Sequence, residues 1–264
     1  MDVMKTSGKA KAVIVIVHGA GEHSGRYGWL IRKWNEHGYH VVIGDLPGQG
    51  KTTGLRGYIR SFDDYIETVM RWIKEAKRFQ LPLVLLGHSM GGLVIIRTLM
   101  TKSLPVQAVI LSSPCLGLVQ YPPKWLEALS KALNFIWPKL QVQANHPPGS
   151  GTRNEEIKAK DALDPLYNRK ITVRWYRELR RAMKLAHEQA DAFPNIPLLI
   201  LQGGDDRIVN KRDVKRWYDR LQIDAKIYKE WHGLFHEVFN EPEREEVFSH
   251  ALQFVQTHAS SGKE

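Results

Sequence analysis

Six short, mostly aliphatic runs recur along this chain, and the segments between them carry a helical period. The runs lie at 12–17, 39–44, 83–86, 108–112, 198–202 and 225–228. Most are apolar without alternation, the pattern of strands covered on both faces. Between them, 61–80 places Phe62, Tyr65, Ile66, Val69, Trp72, Ile73, Ala76 and Phe79 three or four residues apart, with Ser61 and Asp64 as a capping pair. Further helices are expected at 27–37, stopped by Gly38, and at 90–102, 172–191, 211–221 and 242–258, where Pro242 suits a first turn. Strand–helix alternation of this kind dictates an α/β fold, a mostly parallel central sheet flanked by helices.

One stretch breaks the alternation. From 115 to 166 the pattern offers no convincing strand, only a helix carrying Trp125, Leu126, Leu129, Leu133, Ile136, Trp137 and Leu140, then a turn-rich piece at 146–151. An insertion after a strand end of an α/β sheet usually sits over the carboxyl ends of the strands. The expectation is a single domain over 1–264 with a helical cap, or lid, inserted at 115–166.

Composition narrows the function classes. With 43% hydrophobic and 25% charged residues, the chain is ordinary globular protein rather than disordered. Cys115 is the single cysteine, which excludes an intrachain disulfide framework and a multi-cysteine zinc site. The longest purely aliphatic run, at 12–17, is too short to span a bilayer or to form a signal-peptide core. A cytoplasmic protein is expected. The net charge of +10 raises nucleic acid as a partner. However, 169–184 holds seven basic residues and one acidic, while 237–246 holds five acidic and one basic. No nucleic-acid-binding motif accompanies them, so a solvated basic surface is the favoured reading.

The sharpest chemical signal is Gly87-His88-Ser89-Met90-Gly91-Gly92, set directly between an apolar strand and an apolar helix. A nucleophile elbow requires that context, with small residues two positions either side of the serine because the turn is tight. A serine hydroxyl needs a base and an orienting carboxylate, which in such a fold follow in the order acid, then histidine. The strand ending at Gln202 runs into Gly203-Gly204-Asp205-Asp206, where two aspartates compete. His232 and His236 both lie in the loop after the last strand. An oxyanion hole needs the N–H following the nucleophile, that of Met90, and one from the loop after an early strand. His18-Gly19-Ala20-Gly21 supplies that loop, with the Ala20 N–H as second donor.

The segments His18–Tyr27, Gly87–Gly92 and Leu111–Pro114, with 203–207 and 236–242, resemble the monoacylglycerol lipase and lysophospholipase branch of the α/β-hydrolases. The similarity is to bacterial members above all and covers nearly the whole chain, least strongly across 115–166. It implies Asp206 rather than Asp205 as the acid and His236 rather than His232 as the base. It also implies that Glu22 and Arg26 hold the polar or glycerol end of the substrate, and that the cap lines an acyl channel. Three departures stand out. Gln49 replaces a histidine in the Asp45–Gly50 turn, which should leave catalysis intact. Phe239 stands where some members carry a histidine near the glycerol. The N-terminus leaves little room for extra leading strands.

The expectation is a serine ester hydrolase cleaving monoacylglycerol-type single-chain lipids through an acyl-serine intermediate, with no metal and no cofactor. Its rivals are a phospholipase or lysophospholipase, an acyltransferase using the same acyl-enzyme, and a non-catalytic binding module. Expected partners are the lipid ester and, transiently, an anionic membrane surface, with the protein peripheral at the inner membrane face. Trp125, Leu126, Leu129, Ile136 and Trp137 beside Lys124, Lys131 and Lys139 suit an interfacial helix, but equally a pocket lining. Oligomeric state is not legible.

Overall fold

The computed structural model describes residues 1–144 and 149–259. Strands and helices follow in the order β1 (Asp2–Met4), β2 (Ala12–Val17), α1 (Gly28–Glu36), β3 (Tyr39–Ile43), α2 (Asp63–Lys77), β4 (Leu83–His88), α3 (Met90–Thr101) and β5 (Ala108–Ser112). They continue as α4 (Lys124–Ile136), β6 (Gln141–Gln143), α5 (Glu155–Leu163), β7 (Lys170–Thr172), α6 (Val173–Glu188), β8 (Leu198–Gly203), α7 (Lys211–Arg220), β9 (Lys226–Trp231) and α8 (Arg244–His258). One sheet runs β1-β3-β2-β4-β5-β8-β9, parallel throughout except where β1 pairs antiparallel with β3.

The aliphatic runs become central strands because each is covered on both faces. One face carries Val13, Val15, Val17, Leu85 and Ile200 against α2, α3, α6 and α7. The other carries Ile14, Ile16, Leu86, Ile110 and Leu199 against α1 and α8. Gly38, at φ +88°, ends α1 in a conformation that a side chain would resist. At the start of α2 the expected pair forms, Ser61 N–H donating to Asp64 Oδ2 at 3.2 Å.

Three features depart from the sequence expectations. Inside 115–166 a strand does occur, β6, pairing antiparallel with β7. It is three residues long and exposed on every residue, so no hydrophobic period marks it. A leading strand of three residues, β1, also pairs antiparallel with β3. α5, polar and with Asp161 as its buried residue, has no apolar stripe to betray it. Of the expected turn at 146–151, residues 146–148 lie outside the described residues, while Gly149–Gly151 form a turn.

The chain between β5 and β7 leaves the sheet and returns over its carboxyl end. Asn168 N–H donates to Gly21 O at 2.6 Å, in the loop after β2, and Glu237 N–H donates to Gly151 O at 2.8 Å, in the loop after β9. Among the described residues no helix is long and apolar enough to cross a membrane. Cys115 is buried with its Sγ 3.8 Å from Met183 Sδ, and burial raises its thiol pKa to about 12. It is an inert packing residue.

Candidate active site

β4 passes into α3 through Ser89, whose backbone sits at φ 51°, ψ −117°. That strained conformation is held on both sides. Ser89 N–H donates to Ser112 O at 2.9 Å, and Ser89 O accepts from Cys115 N–H at 3.0 Å and Leu93 N–H at 3.2 Å. The flanking glycines are required by close approach. A Cβ on Gly87 would lie 2.7 Å from Gly91 O and from Gly92 Cα, and one on Gly91 would drive into the Val17 carbonyl. Since Leu93 N–H opens the helical ladder, the Met90 N–H remains available at the positive end of α3.

The structure separates the two pairs of competitors. Asp206 has a side chain with 0% exposure, whereas Asp205 is exposed. Asp206 Oδ1 accepts the N–H groups of Ile208 and Val209, each at 2.9 Å. Its Oδ2 accepts Gln202 Nε2–H at 3.0 Å and lies 2.8 Å from His236 Nδ1. His236 is buried and His232 is exposed. Burial alone would raise the Asp206 carboxyl, but His236 and the two N–H donors outweigh it and hold its pKa low. Burial likewise opposes the imidazolium of His236, but Asp206 in contact, with Glu237 and Glu22 beyond, leaves its pKa raised. A low-lying acid bound to a raised base keeps one proton on Nδ1 and frees Nε2 to take another.

The loop after β2 is aimed by His18, whose part in it no local pattern reveals. Its Nε2 accepts Leu46 N–H at 2.9 Å, so the ring proton is on Nδ1, which donates to Gly19 O at 2.8 Å. In a trans peptide the C=O and the following N–H point opposite ways. Pinning the Gly19 carbonyl inward therefore turns the Ala20 N–H outward, where it has no partner among the described residues. Gly19 lies hard against the elbow, since a Cβ there would be 3.2 Å from Ser89 Cβ. Gln49 serves the same loop, its Oε1 accepting Gly21 N–H at 3.1 Å.

Glu22 and Arg26 form a closed network rather than a free pair. Glu22 accepts from Gly19 N–H at 2.5 Å, from Tyr27 OH at 2.9 Å and from Arg26 at 2.5 Å. Arg26 also binds Asp161 of α5 through two bonds, at 2.8 and 2.5 Å, and Glu237 at 2.9 Å. The guanidinium, 6% exposed, thus serves three carboxylates. Burial raises the Asp161 carboxyl beyond what Arg26 recovers. For Glu22 the balance is reversed: Arg26 above all, with the Gly19 N–H, holds it low against burial. A second tie to α5's end joins His23 Nε2 and Asp164 at 2.7 Å.

His88 completes the surroundings. Its ring is 4.8 Å from that of His236, and its Nδ1 is 3.2 Å from Ser112 Oγ. Burial lowers its pKa, so it stays neutral beside His236. Arg26, Glu237, His88 and Phe239 also line a cavity of about 20 Å³, the size of one water.

Residues 8–243 match the family described as serine aminopeptidase, S33. Phospholipase YtpA of Bacillus subtilis (strain 168) is 51% identical over 245 residues, covering 92% of this chain and 95% of that protein. Monoacylglycerol lipase of Mycolicibacterium smegmatis is 28% identical over 260 residues, 97% of this chain and 92% of that one. The crystal structure of Paleococcus ferrophilus monoacylglycerol lipase superposes with a TM-score of 0.86 at 31% identity, covering 98% of this chain and 100% of that one.

Proposed function

Because this chain belongs to the serine aminopeptidase S33 family, within the monoacylglycerol lipase and lysophospholipase branch of the α/β-hydrolases, we propose that it hydrolyses the acyl ester of glycerol lipids. The carrying observation is the buried Asp206–His236 pair, 2.8 Å apart, beside a strained serine elbow and an outward-turned Ala20 N–H. Ser89 Oγ attacks the ester carbonyl while His236 Nε2 takes its proton. The N–H groups of Ala20 and Met90 receive the oxyanion, each contributing roughly 10²–10³ in rate. Collapse expels the glycerol oxygen, which His236 protonates. Water, deprotonated by His236, then releases the fatty acid and restores Ser89. Asp206 holds the imidazole in one tautomer and stabilises its charged form. Glu22 and Arg26 act by supporting the oxyanion loop, and residues 115–166 act as the cap of a single domain.

Two head groups are supported by different observations. Phe239, buried and apolar, together with the 31% identical monoacylglycerol lipase structure, favours an uncharged glycerol. The 51% identical phospholipase favours a glycerophospho group. Turnover of a monoacylglycerol and a lysophospholipid sharing one acyl chain separates them. In either case a fluorophosphonate is expected to label Ser89 alone. Since only neutral His236 accepts the proton, kcat/KM should fall on the acid side with an apparent pKa above the usual imidazole value of 6.5. Labelling elsewhere, or an acid limb below that value, would overturn the assignment.

α4 supports contact with a lipid surface. Its apolar face points to solvent, with Trp125 68%, Phe135 91% and Ile136 77% exposed, while its buried residue is Ser130. The polar face packs inward, Glu127 accepting from Tyr176 OH at 2.6 Å and Arg177 at 2.7 Å. Lys124, Lys131 and Lys139 stand exposed around the apolar face, so an anionic membrane suits it. Trp125→Ala with Trp137→Ala should lose vesicle binding while retaining turnover of a soluble ester. Unchanged binding, or a dimer in solution that hides this face, would refute the contact.

A further inference from the structure

Away from Ser89, a cavity of about 540 Å³ opens between α4, α6 and α7. Its floor is apolar, made by Leu116 and Met183. Its walls are not. Five cationic side chains line it against three carboxylates, and the pairing within it is uneven. Arg177 is engaged by Glu127 at 2.7 Å and Arg216 by Asp213 at 2.7 Å. Arg181 lies 4.0 Å from Glu178, whose Oε2 already accepts Phe62 N–H at 3.1 Å. Among the described residues Lys184 pairs with Glu188 alone, on its own helix, at 3.5 Å.

Arg180 carries a buried nitrogen left without a hydrogen bond among the described residues. Its guanidinium carbon lies over the Tyr121 ring, 4.2 Å from the centroid, and its Nε is 3.4 Å from Glu127 Oε1 without forming a hydrogen bond, that carboxylate being already held by Tyr176 and Arg177. Its buried Nε has no hydrogen-bond partner among the described residues, and Asn134 Oδ1 nearby is likewise unpartnered. An arginine stacked on an aromatic ring is fixed in orientation, and a buried N–H without an acceptor is costly unless something supplies one. A guanidinium with an unfilled Nε–H, set in a groove with more cations than carboxylates, is suited to a phosphate group.

We propose that this groove binds the phosphate of an anionic phospholipid head group, through Arg180 with Arg181 and Lys184. The inference rests on the membrane-contact reading of α4. Glu127 and Asn134 line the groove from one side of α4, while the apolar residues of that helix occupy the opposite, solvent-facing side. A helix lying in the interface therefore brings the groove to head-group depth. The apolar floor and the volume, far beyond one phosphate ion, fit a lipid head group with its glycerol better than a free anion.

The test uses vesicles of ether-linked lipids, which the enzyme cannot hydrolyse: phosphatidylcholine alone, and phosphatidylcholine with a minority of phosphatidylglycerol. The triple variant Arg180→Gln, Arg181→Gln, Lys184→Gln should lose about tenfold or more of the extra partitioning caused by phosphatidylglycerol. Binding to phosphatidylcholine alone and turnover of a soluble ester should be kept. A charge-matched control, Arg71→Gln, Lys74→Gln, Lys77→Gln on the exposed face of α2, should lose far less. Equal losses in the two variants would reduce the effect to net charge and overturn the site. Saturable binding of inorganic phosphate by the groove without preference for anionic vesicles would make it a soluble-anion site and overturn the lipid assignment. The α4 tryptophan variant should lower binding to both kinds of vesicle, so the two readings fail separately.

Discussion

Ser89→Ala is expected to reduce kcat by about 10⁶-fold while leaving the fold untouched, because nucleophile, base and acid act as one unit. Covalent labelling by a fluorophosphonate should vanish with it. The stability half of this expectation follows from the backbone. The Ser89 hydroxyl makes no hydrogen bond among the described residues, and alanine carries the same Cβ at φ 51°. The thermal midpoint should therefore hardly move. Ser89→Gly provides the contrast: equally inactive, it removes the Cβ that the left-handed conformation strains against, and should be more stable by about 1 kcal/mol. Paired turnover and thermal-unfolding measurements check both. An alanine variant retaining substantial turnover would refute Ser89 as nucleophile. A glycine variant less stable than wild type would refute the strain.

Arg26→Met should produce the largest loss of stability, about 3–5 kcal/mol, because it strands Glu22, Asp161 and Glu237 as buried carboxylates. For a chain of this size that corresponds to a fall in Tm of roughly 10 °C. The pH dependence carries its own sign. In the wild type Glu22 titrates below its unfolded value, so its contribution is present above that value and is lost as pH falls through the folded pKa. Asp161 titrates above its unfolded value and so works against the fold once ionised. In the variant all three carboxylates lose their cation, so the deficit should be greatest at neutral pH and shrink on acidification. Adding Asp161→Asn to Arg26→Met should recover part of it. A deficit independent of pH, measured by denaturant unfolding across the acid range, would mean that packing rather than charge governs the site. Activity should fall as well, since Glu22 also holds the Gly19 N–H beside the elbow.

What the sequence discloses here depends on how far apart the partners lie. The central strands are legible because burial on both faces leaves an unbroken apolar run, and the elbow because its serine and glycines fall within a few residues of one another between an apolar strand and an apolar helix. Asp205 against Asp206, and His232 against His236, stay open on local grounds because both members of each pair suit a turn. Burial of the side chain separates them, and burial is a property of the folded sheet end. The network around Arg26 is invisible for the same reason, with Asp161 and Glu237 standing 135 and 211 residues away in sequence. β6 and α5 lack a hydrophobic period altogether. In α4 the period is clear but its direction is not: an apolar stripe reads alike whether it faces a core or the solvent.

That inverted helix bears on the thermodynamics of the whole chain. A segment that hides its glutamate and shows its tryptophan is at its least favourable in plain buffer, so any lipid or detergent surface that covers it acts as a ligand of the native state. On the proposed lipid contact, the unfolding temperature is expected to rise with the interfacial area available, so that a value taken in its absence would describe the bottom of the range.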